Sequence, residues 1–138
     1  MWRSWTPFCA AAFWKPFSRE TVGDGNQTAT YSYLANSPLV DQITFDQSGT
    51  NRMTSTKAYD YANRLTSMSH ADGQSAVLAS YAYGYNAANQ RTNVTHADSS
   101  SWTFGYDDLG QVSSGKKRNL NDLLFPDLQY EYDYDDIG

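Results

Sequence analysis

A single cysteine, Cys9, stands in the 138 residues, so no disulfide can close within the chain. Packing and hydrogen bonds alone must hold the fold, and the compartment stays open. Glutamate is nearly as scarce: 13 of the 15 acidic residues are Asp, and only Glu20 and Glu131 are Glu. A helical protein lines its faces with Glu, Lys, Leu and Ala, so helix is expected to be minor here. Cations are few as well, and the formal net charge is −5. That balance opposes a surface built to neutralise phosphates, and nucleic acid is not an expected partner. The one basic cluster, Lys116-Lys117-Arg118, is too short to change this and reads as a solvated loop. Long apolar runs are absent too. Nothing approaches the ~18 residues of a membrane-spanning helix. From Met1 to Trp14 a short apolar stretch follows Arg3, but Pro7 breaks it and three Trp crowd it, which makes a poor signal peptide.

What the chain has in quantity is aromatic: 11 Tyr, 6 Phe and 4 Trp. Tyrosine suits a pleated, half-wet surface, because its ring packs while its hydroxyl reaches water or a neighbouring backbone. Asp, Asn, Ser and Gly supply turns. Together these features point to one all-β domain with many short turns.

Self-comparison finds an internal repeat. At a shift of 26 residues, Tyr59 to Ser75 and Tyr85 to Ser101 agree at eight of seventeen positions. The same shift carries Tyr59 back to Tyr33, and the unit recurs at Tyr106 and Tyr134, with spacings of 21 and 28. Ahead of each later anchor, aromatics alternate: Tyr81, Tyr83, Tyr85; Trp102, Phe104, Tyr106; Tyr130, Tyr132, Tyr134. A period of two places each set on one face of a strand. Four residues after the anchor stands Asn63, Asn89, Gly110 or Gly138, types that accept positive φ and let the chain reverse. A returning strand follows, such as Leu65-Thr66-Ser67-Met68. A second turn is then expected at His70-Ala71-Asp72-Gly73 and at Ser113-Ser114-Gly115. Each unit is two strands and two turns, and the whole is an antiparallel meander of tandem β-hairpins.

The core Tyr-Asp-x-x-Gly/Asn-Arg/Gln-Leu/Val, clearest at Tyr59-Asp60-Tyr61-Ala62-Asn63-Arg64-Leu65 and at Tyr106-Asp107-Asp108-Leu109-Gly110-Gln111-Val112, resembles the YD repeats of Rhs-type proteins. The resemblance runs from about Thr28 to Gly138 and adds Asp135 to the repeat-defining positions. It implies a sheet strip that winds into a shell around a cargo, often a toxin, in a bacterial secreted or cell-surface protein. It also implies two kinds of partner, the remaining repeats of a longer shell and an encapsulated polypeptide, with carbohydrate binding and cell contact as a further association. Residues 1–20 do not fit the pattern, and residues 21–138 form the repeat region. Since the chain stops on the turn residue of its last copy, with no self-cleavage region or cargo domain, a fragment is expected.

Few groups of side chains in the sequence could carry catalysis or hold a metal. His70 and His96, with Asp72 and Asp98, could in principle hold zinc, but they lie in polar turn sequences with no cysteine nearby. Asp107, Asp108, Asp133, Asp135 and Asp136 invite a paired-carboxylate or calcium reading. Turn chemistry explains them better, because Asp after the anchor can cap backbone N–H groups. Asp24-Gly25-Asn26 opens like a calcium loop but lacks its later oxygens and closing Glu. No nucleophile elbow, P-loop or dinucleotide fingerprint occurs. Two sequons, at Asn26 and Asn93, are near chance in so polar a chain. The expectation is therefore a non-enzymatic wall segment with no cofactor. The competing expectation is a carbohydrate or cell-surface contact module, with Tyr81, Tyr83, Trp102, Phe104, Tyr130 and Tyr132 as its ligand face.

Overall fold

A computed structural model of the chain describes residues 20–135. Ten strands follow one another: β1 (Glu20–Gly23), β2 (Gln27–Tyr33), β3 (Val40–Gln47), β4 (Thr50–Tyr59), β5 (Leu65–Asp72), β6 (Val77–Tyr85), β7 (Arg91–His96), β8 (Ser101–Tyr106), β9 (Val112–Arg118) and β10 (Leu124–Glu131). They form one sheet in sequence order, every neighbour antiparallel. The expected all-β meander is what the chain builds. Among the described residues no helix is long and apolar enough to cross a membrane. Cys9 and the signal-like stretch lie outside the described residues, as does Gly138.

The register sorts the side chains onto two unlike faces, because directly opposed residues of an antiparallel pair share a face. One row runs Tyr31, Ile43, Ser55, His70, Ala79. Another runs Met68, Tyr81, His96, and a third Tyr83, Val94, Trp102, Lys117. Phe104, Gly115 and Tyr130 close this face. The opposite face carries rows such as Thr30, Thr44, Thr54, Ala71 and Gln42, Thr56, Ser69, Ser80. Gly84, Asn93, Thr103, Lys116 continue it. One face thus carries the aromatic rows, and the other is richer in Thr and Ser.

A β-bulge precedes every anchor Tyr within the paired strands. Register slips between Ser32 and Tyr33, Ala58 and Tyr59, Gly84 and Tyr85, and Gly105 and Tyr106. One extra residue on each returning strand, Asp41, Thr66, Thr92 or Ser113, absorbs the slip. The consequence is chemical. Leu65 and Met68, three apart, both face the aromatic side, whereas strict alternation would put them on opposite sides.

The turns are nearly copies of one another. In Asp60–Arg64, the N–H of Asp60 donates to the Arg64 carbonyl (3.0 Å), the N–H of Asn63 donates to the Asp60 carbonyl (2.9 Å), and Asn63 adopts φ 60°. Asp60 Oδ1 accepts from the N–H groups of Ala62 and Arg64 (2.9 and 3.0 Å). The same pattern recurs with Asp72, Asn86, Asp107 and Asn119 as the capping residue, at both ends of the sheet. Positive φ falls three residues later each time, on Ser75, Asn89, Gly110 and Asp122. A side chain that mimics a backbone acceptor makes this five-residue loop rigid.

Two expectations about turns are corrected. Ser113-Ser114-Gly115 lies within β9, because the bulge takes up Ser113 and Gly115 is packed against Trp102 and Phe104; the turn comes at Asn119–Leu123 instead. His70 lies inside β5, and the second turn there starts at Asp72.

Candidate functional site

The aromatic face is the candidate site. No described hydrophobic side chain is buried. Sheets of this size normally cover one face with a second layer. Here the face stays open, with Val22 and Tyr130 both exposed on it.

Trp102 anchors its middle. Its ring stacks on Phe104 with centroids 6.4 Å apart and planes 6° off parallel, and on Tyr130 at 6.0 Å and 14°. Gly115 stands opposite Phe104, and a Cβ there would meet the Phe104 and Trp102 rings at ordinary contact distances of 3.8 and 3.9 Å. Further along, the Arg91 guanidinium sits 4.2 Å from the Tyr83 ring centre, and that of Arg64 sits 4.8 Å from Tyr85. Lys117 lies 5.4 Å from the Phe125 ring. Three cations, Arg64, Arg91 and Lys117, thus lie against aromatic rings.

The anchor tyrosines do more than pack. The hydroxyls of Tyr59, Tyr85, Tyr106 and Tyr134 donate to the carbonyls of Val40, Leu65, Arg91 and Val112 at 2.9, 2.8, 2.7 and 2.8 Å. Each acceptor is the first residue of a returning strand, and each is itself register-paired with the preceding anchor: Tyr33 with Val40, Tyr59 with Leu65, Tyr85 with Arg91, Tyr106 with Val112. Successive repeats are stitched through one side chain per unit. Tyr33, whose hydroxyl donates to Glu20 Oε2 at 3.3 Å, continues the row toward β1. Burial, and for Tyr33 also the Glu20 carboxylate, raises the pKa of Tyr33 and Tyr59 above the ordinary phenol value. Neighbouring turns are joined too, by Arg64 Nη1 to Asn89 Oδ1 (2.8 Å) and by Gln90 Nε2 to the Gly110 carbonyl (3.2 Å).

Asp60, Asp107 and Asn63, Asn89, Gly110 thus occupy the turn positions expected of them, and Tyr81, Tyr83, Trp102, Phe104 and Tyr130 share the expected face. The hydroxyl ladder was invisible in the sequence, because its acceptors are main-chain carbonyls on residues of unrelated type.

The histidines are not brought together. His70 pairs with Ala79 and His96 with Tyr81, on opposite flanks of β6, which sets about 10 Å of sheet between them. His70 Nδ1 bonds Ser55 Oγ at 2.7 Å, and His96 meets the Tyr81 ring edge-on at 5.4 Å. Because β7 is two residues shorter than β5, His96 heads its turn in the place that Asp72 takes in the preceding one, and Asp98 caps Ser100 instead. Hydrogen bonds from Ser100 hold the Asp98 carboxyl below its usual pKa. Asp24 is lowered likewise by the N–H groups of Gln27 and Asn26, so the calcium-like stretch is a capped turn. Among the described residues no group of three or more His, Cys, Asp or Glu could hold a metal ion. The cavities are shallow: ≈ 380 Å³ between Val22, Ala29, Phe45 and Arg52, and ≈ 180 Å³ beside Tyr81 and His96.

A single-layer strip of tandem hairpins, stapled by tyrosine hydroxyls and capped turns, defines a structural repeat protein. The model of the RHS Repeat family matches residues 59–101 and 85–116, so this stretch of the chain is similar to that family's repeats. No curated protein matches the sequence. In the crystal structure of TcdB2-TccC3-Cdc42, one chain overlays with a TM-score of 0.64 at 17% identity, over 80% of this chain and 5% of that one. The likeness is one of fold, and this chain spans a small part of its counterpart. The crystal structure of the GtfA/B complex bound to UDP and GlcNAc matches at 14% identity over 82% of this chain and 24% of that one, with a TM-score of only 0.20.

Proposed function

We propose that the chain is a non-catalytic wall segment of an RHS-type shell. Further repeats pair with its outer strands β1 and β10, and its aromatic face receives an enclosed polypeptide. The supporting observation is the two-faced single layer: ten strands, one apolar face, and no described hydrophobic side chain buried. A face like this is stable only when something covers it. A polypeptide suits it better than a sugar, because Trp102, the ring best placed for stacking, already meets Phe104 and Tyr130. The opposite face of Thr and Ser is suited to water. No residue carries chemistry in this reading.

The test is a full-length chain followed in frame by a flexible reporter polypeptide bearing protease sites. The reporter is expected to be cleaved at least tenfold more slowly than on an unrelated carrier, and Phe104→Glu should restore cleavage. Thr95→Glu, on the polar face, should not. Equal cleavage on both carriers, or protection indifferent to Phe104→Glu, would overturn the reading.

A further inference from the structure

We infer that the polypeptide taken up by the aromatic face is an acidic one, with carboxylates spaced along it to meet Arg52, Lys57, Arg91 and Lys117. The inference rests on the reading that this face receives a polypeptide, and it names the chemistry of that partner.

The sequence holds ten Lys and Arg, of which Arg3, Lys15 and Arg19 precede the described residues. The other seven divide by place. Arg64, in its turn, pairs with Asp60 at 2.7 Å. Lys116 and Arg118, on the opposite face with Thr103 and Ser101, pair with Glu131 at 3.0 Å and Asp122 at 3.5 Å. The remaining four line the aromatic face, and among the described residues none of them forms an ion pair. Lys57 shares a row with Met68 and Tyr81, Lys117 is paired with Trp102, and Arg91 with Tyr85. Arg52 is the extra residue of a bulge in β4, between the Phe45–Met53 and Asp46–Asn51 pairs. It lines the ≈ 380 Å³ cavity with Val22, Ala29 and Phe45.

Ring contacts do not cancel these charges. Arg91 and Lys117 lie over Tyr83 and Phe125, but a cation on a ring keeps its charge and its outward N–H donors. Arg52 and Lys57 make no hydrogen bond, ion pair or ring contact with the described residues. The carboxylates nearby are engaged elsewhere. Glu20 accepts from the Tyr33 hydroxyl, Asp72 from the N–H groups of Gln74 and Ala76, and Asp46, at the rim of the Arg52 cavity, from Asn51. Asp98, which feels the Lys117 charge, accepts from Ser100, and Asp41, at the bulge beside Tyr59, pairs with none of the four.

A polypeptide laid on this face takes the four cations out of water. A purely apolar cover would leave them unpaired, and burying an unpaired charge opposes binding. A second copy of the chain is worse, because it brings the same four cations to the contact. A partner with carboxylates neutralises them while its apolar side chains lie on the rings. The spacing suits an extended chain. Lys57 on β4 and Lys117 on β9 are five inter-strand gaps apart, about 24 Å across the sheet, which about seven extended residues span. Arg91 on β7 lies between them. The whole chain carries −5, so bulk charge alone would favour a basic partner, and the local arrangement favours the opposite.

That opposition makes the test sharp. Three fluorescein-labelled, end-capped peptides share one Leu, Phe, Ser and Gly framework and carry Glu, Gln or Lys at positions three or four residues apart. Their binding to the full chain is read by fluorescence anisotropy at low and high salt. The Glu peptide is expected to bind about tenfold more tightly than the Gln peptide, the Lys peptide most weakly, and the Glu advantage to shrink as salt screens it. Arg52→Gln with Lys57→Gln, at side chains that touch no partner, should remove most of that advantage and leave the Gln peptide unchanged. Lys116→Gln with Arg118→Gln, on the opposite face, should not. Equal binding of Glu and Gln peptides, tightest binding of the Lys peptide, or a Glu advantage indifferent to the face variant would overturn the inference. An oligothymidylate that binds more tightly than the Glu peptide would make nucleic acid the occupant, and self-association that excludes all three peptides would make it a second copy; either outcome overturns it as well. The two readings fail separately. A protected reporter in the preceding test with no preference for Glu leaves the wall and removes this inference, whereas a Glu preference with an unprotected reporter removes the wall alone.

Discussion

The hydroxyl of Tyr85 donates to the Leu65 carbonyl at 2.8 Å, and Leu65 is the residue register-paired with the previous anchor, Tyr59. One residue therefore faces two repeats at once: its carbonyl answers the following anchor and its side chain lies beside the preceding one. Repeated at Val40, Arg91 and Val112, this relationship ties each unit to its neighbour without a hydrophobic core. Nearest-neighbour coupling of that kind is how repeat arrays hold together.

Tyr85→Phe should therefore destabilise the sheet by about 1 kcal/mol, the usual net worth of such a bond, while the ring and its packing remain. Tyr61→Phe is the control, because Tyr61 stands fully exposed at a turn tip. Its change should stay within about 0.5 kcal/mol in a urea titration. Equal effects would mean that the hydroxyl ladder contributes nothing.

The turns make a second prediction. Asn63 holds φ 60°, which costs a residue with a Cβ about 1 kcal/mol unless it is Asn or Asp. Asn63→Gly should be neutral within about 0.5 kcal/mol, and Asn63→Ala should lose about 1 kcal/mol. Asn89→Ala should lose more, since Asn89 also accepts from Arg64. Chemical denaturation of the three variants ranks them, and an Ala variant as stable as the Gly variant would contradict the strain argument.

Much of this fold was legible in the residues. The aromatic period of two marked Tyr81, Tyr83, Tyr85 as one face, and the Asn or Gly four after each anchor marked the reversal. Two things were hidden. Val40 and Ile43, or Leu65 and Met68, are spaced by three, which fits neither face of a plain strand; only the bulge reconciles them, and a bulge leaves no residue-type signature. The 26-residue shift also aligned His70 with His96, although a strand shorter by two residues puts His96 where Asp72 stands. Sequence identity there followed ancestry-like spacing, while structure followed the turn. The ladder's acceptors were hidden for a similar reason, because a carbonyl is common to every residue.

Acid should loosen the turns unevenly. The Asp60 carboxyl is held below its ordinary range, mostly by the Arg64 N–H and then by the Arg64 side chain and the Ala62 N–H. A depressed pKa in the folded chain means stability that is present above the unfolded value of about 3.9 and lost as pH falls through the folded one. Asp24 and Asp98 titrate in the same sense. Asn86 and Asn119 cap their turns without a titrating group. Hydrogen exchange between pH 5 and pH 2, corrected for intrinsic rates, should show the Asp60 turn losing protection while the Asn86 turn keeps it. Asp60→Asn should flatten that dependence.

Alkali should act on the ladder. Burial raises the pKa of Tyr59, with the Asp41 carboxylate adding to it, so the folded chain keeps the phenol proton to higher pH than the unfolded chain does. The unfolded state then binds fewer protons above its own value of about 10, and stability falls as pH rises from there through the folded pKa. The physical event is loss of the hydrogen that Tyr59 donates to the Val40 carbonyl; a phenolate facing that oxygen, with Asp41 nearby, is repelled. The expected outcome is a urea midpoint that declines between pH 9 and pH 11.5, monitored alongside tyrosinate absorbance. Tyr59→Phe starts lower at neutral pH but declines less steeply, since this phenol no longer titrates. Parallel slopes for the two proteins would show that Tyr59 titrates no differently folded than unfolded, and the hydroxyl bond at this step of the ladder would have to be abandoned.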